Sequence, residues 1–532
     1  MATSQAKTKQ DSKPKYLVKN ALINYYLAIM FCLFPLYFSN QYSNIRHDKY
    51  NIFLLFTSML IIVELVILLS SFTNSNKLKA DKKWYQTLSI PDICMIAFIL
   101  LAFISTILSD NMENAITGNM GRNNGLILLL LYVAVYFAIT RLYMFYEYIF
   151  LALAIGAGLV SFLAIINFFY IDPLNMFIGY AERYVIDFSS TIGNKNLLAS
   201  YICVCLPVLM MLFMNTSNKN FKWVYFASMV LNFGALIVAN SDSGYLGFFA
   251  FLVILLFYYI RKPKMLCMYF FSLFSMFAFA KVIRVFSFIM KDYNKGLSSI
   301  PSFFVYEGLF SFILIVLCGL LAYLFFFISN KNPELIFHRA VFWVAIGIFL
   351  FLLGAVVYMF VYYTFIDTTS KLNEIQKYFR FSNRWGTHRG YMWIKSTEIF
   401  SNFGIKDMLF GCGPDNYYYA FSPYFTELST LYGDGSTNCA HNEYLNYLVT
   451  NGILGLTAYV GIIISTVVRA IKYSKVNPFA MICCSGVICY ALQAIVNIAQ
   501  PITTPIFILM ICLTEAFCRQ AKKNNTKKIN KT

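Results

Sequence analysis

Long apolar stretches alternate with short polar connections along almost the whole chain, and fourteen of them approach the roughly 20 residues that a membrane-spanning helix needs. They are residues 21–38, 51–71, 92–109, 124–140, 145–170, 196–214, 222–240, 243–260, 265–288, 302–328, 339–364, 441–468, 477–497 and 500–518. Lipid tolerates only helices and closed barrels, and these stretches are too long for barrel strands. The pattern therefore predicts an all-α, polytopic membrane helical bundle of about fourteen transmembrane helices. Lys281 and Arg284 interrupt the ninth stretch.

The composition supports a membrane protein and argues against a nucleic-acid partner. The chain of 532 residues is 59% hydrophobic and 12% charged, with a mean hydropathy of +0.64. A soluble domain carries about 25% charged residues, so this chain cannot cover its apolar surface with polar groups. The net charge of +18 comes largely from lysine-rich tails and loops, which the inward-facing charge bias of membrane proteins explains without nucleic acid.

The placement of lysine and arginine predicts the orientation of the bundle. The N-terminal tail, the 72–91 loop, residues 261–264 and the C-terminal tail fall on one side, which the positive-inside rule assigns to the cytoplasm. The N-terminal tail contains no short apolar region typical of a signal peptide. We therefore predict a cytoplasmic tail, a transmembrane bundle, an extracytoplasmic loop between the eleventh and twelfth spans, C-terminal transmembrane helices and a second cytoplasmic tail, at residues 1–20, 21–364, 365–440, 441–518 and 519–532.

The 365–440 loop is far longer than the other connections. Loops longer than about 12–15 residues are usually functional or disordered. This one is rich in aromatic residues, with Tyr417, Tyr418, Phe421 and Phe425 close together, so a disordered composition does not fit. We expect a membrane-lying segment with short helices over the mouth of the bundle.

Arginines and a histidine recur along residues 380–400 of that loop. If the segment is helical, Arg380, Arg384 and His388 lie on one face, and Arg389 lies on a neighbouring face. One interpretation is an interfacial helix whose arginines meet lipid headgroups. The other is a phosphate clamp, because the planar guanidinium matches phosphate oxygens and stays charged.

His441 stands where the loop meets the twelfth apolar stretch. A helix through this region would place His441, Leu445, Gly452 and Gly455 on one face, where the glycines allow close packing. Imidazole titrates near neutral pH, so it can accept a proton. Two interpretations stay open, an interfacial histidine and a general base. Glu443 is expected to face elsewhere.

The remaining reactive side chains give weaker indications. Most of the 13 cysteines lie in apolar stretches, but Cys412 and Cys439 both fall in the long loop, where they form either two free thiols or a disulfide. No close spacing of His, Cys and Asp predicts a zinc site. Acidic residues within apolar stretches, such as Glu515, are functional candidates.

Several motifs together resemble one family, the O-antigen ligases and Wzy-type polysaccharide polymerases. "HNEYLNYLVTNGILGL" resembles the family's His-Asn motif followed by Gly-x-x-Gly, and "RGYMW" resembles its Arg-x-x-x-Trp motif. "LFGCGPDNY", "GRNNGL" and "GNKNLLASY" resemble further motifs in the expected order. The resemblance spans roughly residues 115 to 470. One departure is "NSDSGYLG", where relatives often carry an arginine at the position of Gly244.

The resemblance implies a membrane-embedded glycosyltransferase of the C type, which needs neither metal nor cofactor. It would move a glycan from undecaprenyl diphosphate to an acceptor hydroxyl outside the membrane. In this hypothesis His441 is the general base and acts with Arg389, and Arg122, Arg384 and Arg389 bind the diphosphate. The predicted glycan contacts are Asn416, Tyr417, Tyr418 and Asn442.

The acceptor and the exact class stay open at the level of sequence. A ligase would use a lipid A core, and a polymerase would use another lipid-linked glycan. The expected location is the bacterial plasma (inner) membrane, and the abundance of lysine over arginine favours a low-GC bacterium and therefore a polymerase or wall-polymer ligase. Two alternatives from other classes are a lipid-linked oligosaccharide flippase and a non-catalytic assembly subunit.

Overall fold

The computed structural model of the chain describes residues 14–73, 87–297, 299–370, 376–433 and 435–529. Most of the predicted N-terminal tail lies outside these residues. So do the lysines of the 72–91 loop that contributed to the predicted orientation, namely Lys77, Lys79, Lys82 and Lys83.

The first two thirds of the described chain form fourteen helices and one small hairpin. The helices are α1 (Pro14–Ala28), α2 (Ile45–Thr73), α3 (Ile90–Ile107), α4 (Met112–Thr117), α5 (Leu126–Leu142), α6 (Tyr148–Phe168), α7 (Glu182–Val185), α8 (Lys195–Asn215), α9 (Lys219–Val238), α10 (Asp242–Tyr259), α11 (Pro263–Ile289), α12 (Ser299–Val305), α13 (Gly308–Lys331) and α14 (Arg339–Val361). The antiparallel strands β1 (Phe188–Ser189) and β2 (Gly193–Asn194) lie between α7 and α8.

The last third begins with short helices and ends with three long ones. They are α15 (Trp385–Ser401), α16 (Ile405–Phe410), α17 (Tyr417–Phe421), α18 (Phe425–Tyr432), α19 (Glu443–Tyr473), α20 (Pro478–Gln493) and α21 (Thr504–Ile529). Helices α15 to α18 lie within the predicted 365–440 loop, which we call the loop segment.

The fold class predicted from the apolar pattern is confirmed. Within the described residues, 12 helices are long and apolar enough to cross a membrane, and two shorter apolar helices cover Asn20–Leu36 and Leu126–Leu142. Each of the fourteen predicted stretches overlaps one of these helices. The protein is therefore an all-α, multi-pass membrane protein, and the number of spans stays a prediction.

Burial separates the centre of the bundle from its edge. The apolar window of α8 is 100% buried, and α8 packs against α9, α10 and α20, so it is the central helix. The apolar window of Arg339–Ile366 is 0% buried within the protein. Both helices are apolar on all sides, which suits a core helix in one case and a helix surrounded by lipid in the other.

The ninth stretch is one continuous helix, α11, despite its two basic residues. Nζ of Lys281 donates to the carbonyl oxygens of Phe304 and Val305, at 3.3 and 3.1 Å. These carbonyls belong to the end of α12, where no further helical turn supplies N–H donors. The lysine therefore satisfies orphan carbonyls and does not interrupt the helix.

Two ends of the bundle can be distinguished by the helix directions. At the cavity end, α3 ends and α5 and α19 begin; at the opposite end, α3 begins and α5 and α19 end. The opposite end holds a network of ion pairs. Asp92, which is 0% exposed, accepts from Arg141 at 2.9 Å and also contacts Arg519. Glu515 accepts a hydrogen bond from Nε of Arg469 at 2.6 Å and forms an ion pair with Arg519, whose Nε lies 2.9 Å away.

The described part of the loop segment packs around a small core of its own. Tyr391, Tyr417, Phe421 and Leu428 are buried against one another. Outside this core, Lys395 pairs with two acids on different helices. They are Glu398 at 3.1 Å and Glu427 at 3.2 Å. The segment therefore has its own packing and can position side chains, as the length of the loop suggested.

Candidate active site

A cavity of about 440 Å³ opens at the cavity end, between the bundle and the loop segment. Three parts of the chain form it: the turn before α5, the loop segment and the residues just before α19. Among the residues that the structure describes, its lining contains two basic side chains and no acidic one: Met120, Arg122, Met392, Tyr418, Leu428, Ser436, Thr437, Asn438 and His441. The predicted residues Arg122, Tyr418 and His441 therefore share one opening.

The turn that carries Arg122 is built around the carboxylate of Asp415. One oxygen, Oδ2, accepts from the backbone N–H of Arg122 at 2.6 Å and from that of Asn124 at 2.9 Å. A Cβ on Gly121 would lie 2.3 Å from Cγ of Asp415, so only glycine allows this approach. Gly118 has φ +73, and a Cβ there would lie 2.7 Å from Oδ2 of Asp415, which explains the two glycines that precede Arg122.

Part of the Arg122 guanidinium has no hydrogen-bond partner among the described residues. Its Nε is buried without a hydrogen-bond partner among the described residues, and within that part of the chain no carboxylate forms an ion pair with it. A buried donor without an acceptor costs roughly 1–3 kcal/mol. Arg122 also lines the cavity, so an anion bound there would meet a guanidinium that no described carboxylate neutralises.

His441 precedes α19 and does not lie within it, so the predicted helical face is wrong at this end. His441 has φ +50, and Asn442 is the N-cap residue, whose side chain accepts from the N–H groups of Tyr444 and Leu445 at 3.0 and 3.1 Å. As expected, Glu443 faces elsewhere: it is buried and accepts hydrogen bonds from tyrosines of α19 and α20.

The predicted glycine face is also wrong at Gly452, which breaks α19 with φ +69. A Cβ there would lie 2.3 Å from the carbonyl oxygen of Leu409, in the loop segment. The N–H groups of Cys412 and Gly413 donate to the carbonyls of Val449 and Thr450, at 3.1 and 3.0 Å. The glycine therefore admits the "LFGCGP" turn and not a neighbouring transmembrane helix.

The thiol of Cys439 interacts electrostatically with the positively charged groups of the site. Burial raises the pKa of its thiol, but Arg122 and His441, with hydrogen bonds from His441, outweigh burial and lower the pKa to about 6. Arg389 has its pKa lowered by burial, and Cys439 and Asp242 oppose that shift. Arg389 therefore lies near the same thiol as His441, although it does not line the cavity. Cys412 and Cys439 are free thiols.

Residues 380–388 do not form the predicted helix. Gly386, Thr387 and His388 all have left-handed backbone angles, and the regular part of α15 starts after them. The guanidinium of Arg380 binds the carbonyls of Tyr363, Asp367 and Ser370. Because this arginine holds the loop segment together, it is not available for a clamp.

Arg384 and three predicted glycan contacts lie outside the cavity lining, and their predicted roles stay predictions. Arg384 is exposed and does not line the cavity. Asn416 is 0% exposed, and its amide is bonded to Asn114 at 2.7 Å and to Ser109 at 2.8 Å. Tyr417 is also buried, with its hydroxyl on Ser396. The side-chain oxygen of Asn442 is used in the helix cap.

The structure brings in residues that the sequence did not single out. Arg46, at the start of α2, donates to the carbonyl of Gly121 at 3.0 Å, and Asn438 donates to the same oxygen at 3.1 Å. Asp415 lies below the turn, and burial raises the pKa of its carboxyl to about 7 against the opposing contacts from Asn124 and Arg122. The only sequence signal for Asp415 was its position in the Gly-Pro-Asp turn.

The motifs around α8 and α10 also lie at the cavity end. The hydroxyl of Ser241 donates to Oδ1 of Asn196 at 2.7 Å, and Asp242 accepts from the hydroxyl of Tyr378. A Cβ on Gly244 would lie 3.0 Å from Cβ of Ala199 on α8. The close packing of the two helices therefore explains glycine where the resemblance leads one to expect arginine.

Comparison with known families bears on this site directly. Residues 308–460 match the family model of the O-antigen ligase, Wzy_C. The match runs from α13 into α19 and includes Arg389, the described loop segment and His441. It confirms the resemblance predicted from the motifs and supports a membrane glycan ligase or polymerase in general terms. No curated protein matches the chain.

Proposed function

We propose that this protein is a membrane glycosyltransferase that moves a glycan from undecaprenyl diphosphate to an acceptor hydroxyl. The observation that carries the proposal is the cavity that Arg122 and His441 line together, where Arg122 forms no ion pair with a carboxylate of the described residues. The match to the O-antigen ligase family supports the same class of reaction. The proposal places the cavity on the extracytoplasmic side of the bacterial plasma membrane, with both termini in the cytoplasm.

The diphosphate is the leaving group, and it gains negative charge as the glycosidic bond breaks. Arg122 donates to it from the cavity wall, and Arg389 adds positive charge from a position near Cys439. Positive groups that are already in place as charge develops usually make a large contribution to catalysis. The absence of any acidic residue from the described cavity lining fits an anionic ligand.

The acceptor hydroxyl attacks the anomeric carbon from the face opposite the diphosphate. A new carbon–oxygen bond forms, the bond to the diphosphate oxygen breaks, and the hydroxyl proton passes to the imidazole of His441. Such a displacement inverts the anomeric centre. Tyr418 and the polar lining residues Thr437 and Asn438 are the proposed sugar contacts.

The acceptor distinguishes the two members of this class. A ligase transfers the glycan to a lipid A core or a wall polymer, and a polymerase transfers it to another lipid-linked glycan. Both reactions need the same diphosphate site and the same base. The proposal covers this shared chemistry.

The test is the pool of lipid-linked glycan in cells with and without this gene. We expect outward-facing, untransferred lipid-linked glycan to accumulate without the gene and the wild-type chain to clear it. The Arg122→Ala variant, at matched protein level, should fail to clear it, whereas Arg183→Ala at an exposed site should behave as wild type. Accumulation of inward-facing lipid-linked glycan would contradict the proposal and favour a flippase.

A further inference from the structure

The backbone around Arg122 is held from more sides than a surface turn requires. Two N–H groups of the turn end on one oxygen of Asp415, and the carbonyl of Gly121 accepts from Arg46 and Asn438. The donors and acceptors come from α2, from the "GCGPDN" turn and from the residues before α19. The turn is therefore fixed at the junction of the bundle and the loop segment.

Further contacts fix the two ends of the same turn. Asn114 accepts from the N–H of Met120 at 2.8 Å and donates to the carbonyl of Asp415 at 3.2 Å. The side chain of Asn124 donates to the carbonyl of Ala499 at 2.6 Å. The turn and Asp415 therefore form one hydrogen-bonded unit, which leaves the Nε of Arg122 as its buried orphan donor.

From this arrangement, and resting on the proposed function, we infer that Asp415 is a positioning residue for diphosphate binding. Its carboxylate holds the Arg122 and Asn124 amides, and thereby aims the Arg122 guanidinium into the cavity. Asp415 is 5% exposed and does not line the main cavity, so it acts on the ligand through Arg122. Arginine can recognise phosphate with two parallel hydrogen bonds only if the backbone that carries its side chain is held in place.

The experiment is a double-mutant cycle on the full-length chain in lipid nanodiscs, with undecaprenyl diphosphate as the probe. Arg122→Ala and Asp415→Ala should each weaken binding, by about tenfold or more. The double variant should bind undecaprenyl diphosphate as well as Arg122→Ala does. Asp415 acts through the side chain that Arg122→Ala removes, so its loss has no further effect. If the two losses instead multiply, Asp415 acts independently of Arg122 and the inference is overturned.

A second readout reports the turn itself and does not depend on the ligand. Amide hydrogen exchange at Arg122 and Asn124 should become about tenfold faster in Asp415→Ala than in the wild type. Unchanged exchange there would overturn the inference. If Arg122→Ala binds undecaprenyl diphosphate as the wild type does, the proposed diphosphate site fails, and the exchange result still decides whether Asp415 holds the turn.

Two further variants guard against a general loss of folding. Asp415→Asn keeps an oxygen that can accept both N–H groups, so it should bind within about threefold of the wild type. A loss as large as that of Asp415→Ala would overturn the positioning role, because charge and not backbone geometry would then matter. Asp407→Ala, which removes a carboxylate eight positions earlier that pairs with Lys406, should leave binding and exchange unchanged.

Discussion

Arginines gather at both ends of this bundle, and the two groups differ in how they are paired. At the opposite end, Arg141, Arg469 and Arg519 all form ion pairs with the buried carboxylates of Asp92 and Glu515. At the cavity end, Arg122 forms no ion pair with a carboxylate among the described residues. Its buried Nε has no hydrogen-bond partner there, which is also true of Arg519, so the missing ion pair is the difference.

A structural arginine and a binding arginine can be distinguished by whether the protein itself neutralises the charge. A buried charge is normally compensated by a partner, since leaving it alone costs several kcal/mol of desolvation. The opposite end follows that rule and ties α3, α5, α19 and α21 together. The cavity end departs from it beside an opening, where a ligand can supply the compensation. Variants at the two ends should therefore affect different quantities.

The largest effect is expected from removing the proposed base at the cavity end. His441→Ala should lower glycan transfer in membranes by about 10²–10⁴-fold at matched protein level, the usual range for a lost general base. The matched control is His47→Ala, the same change at an exposed position of α2, which should leave transfer unchanged. Near-normal transfer by His441→Ala would remove the base from the mechanism.

The second effect concerns the unpaired arginine. Arg122→Ala should lower transfer by about 10²–10³-fold, as for a lost donor to developing negative charge. Its thermal unfolding midpoint should fall less than that of Arg469→Ala, because Arg122 pairs with no carboxylate among the described residues and its electrostatic partner is the Cys439 thiol. A large drop in thermal stability with little change in transfer would make Arg122 a structural arginine like those at the opposite end.

The third effect concerns the paired arginines at the opposite end, where a variant should lower stability and leave transfer unchanged. Arg469→Ala removes one of the two arginines on Glu515, which is 1% exposed, and should cost roughly 3 kcal/mol of stability. Transfer per folded molecule should stay at the wild-type level, because α19 separates this pair from the cavity. Denaturation of the purified protein and transfer assays on the same preparations check both statements. Lost transfer in a fully folded variant would contradict a purely structural role for Arg469.

The smallest effect is a pH dependence at the cavity end. The pKa of Cys439 is about 6 in the folded chain, against an ordinary value of 9.0, so its thiolate stabilises the fold fully above pH 9. That contribution is lost as the pH falls from 9 through 6. The stability difference between the wild type and Cys439→Ser should therefore be larger at pH 9 than at pH 6. Thermal denaturation at both pH values checks this, and an equal difference would contradict it.

The apolar pattern predicted the fold well, because a helix that crosses a membrane must consist of consecutive apolar residues. All fourteen predicted stretches overlap apolar helices. The pattern failed where the backbone leaves regular geometry. Gly386, Thr387 and His388 all adopt left-handed backbone angles, although only the glycine favours them. Gly452 breaks a stretch that looks uniformly helical in sequence. A periodicity argument assumes a continuous helix and cannot detect such breaks.

The site was partly predictable, and its limits have a physical reason. Arg122 and His441 were found from motifs, and the cavity brings them together. Asp415 and Arg46 were not found, because their roles depend on contacts across nearly 300 positions and 75 positions of sequence, respectively. Asn416 was predicted as a glycan contact under the family resemblance, whereas its burial and its four hydrogen-bond partners are tertiary properties.

The central claim is that one cavity holds a lipid diphosphate against Arg122 while His441, which lines the same cavity, takes the proton of the acceptor. The most direct measurement is an experimental structure of the full-length protein bound to undecaprenyl diphosphate. The account predicts the diphosphate within hydrogen-bond distance of the Arg122 guanidinium, in the cavity that His441 lines. A diphosphate bound elsewhere, with Arg122 still unpartnered, would contradict it.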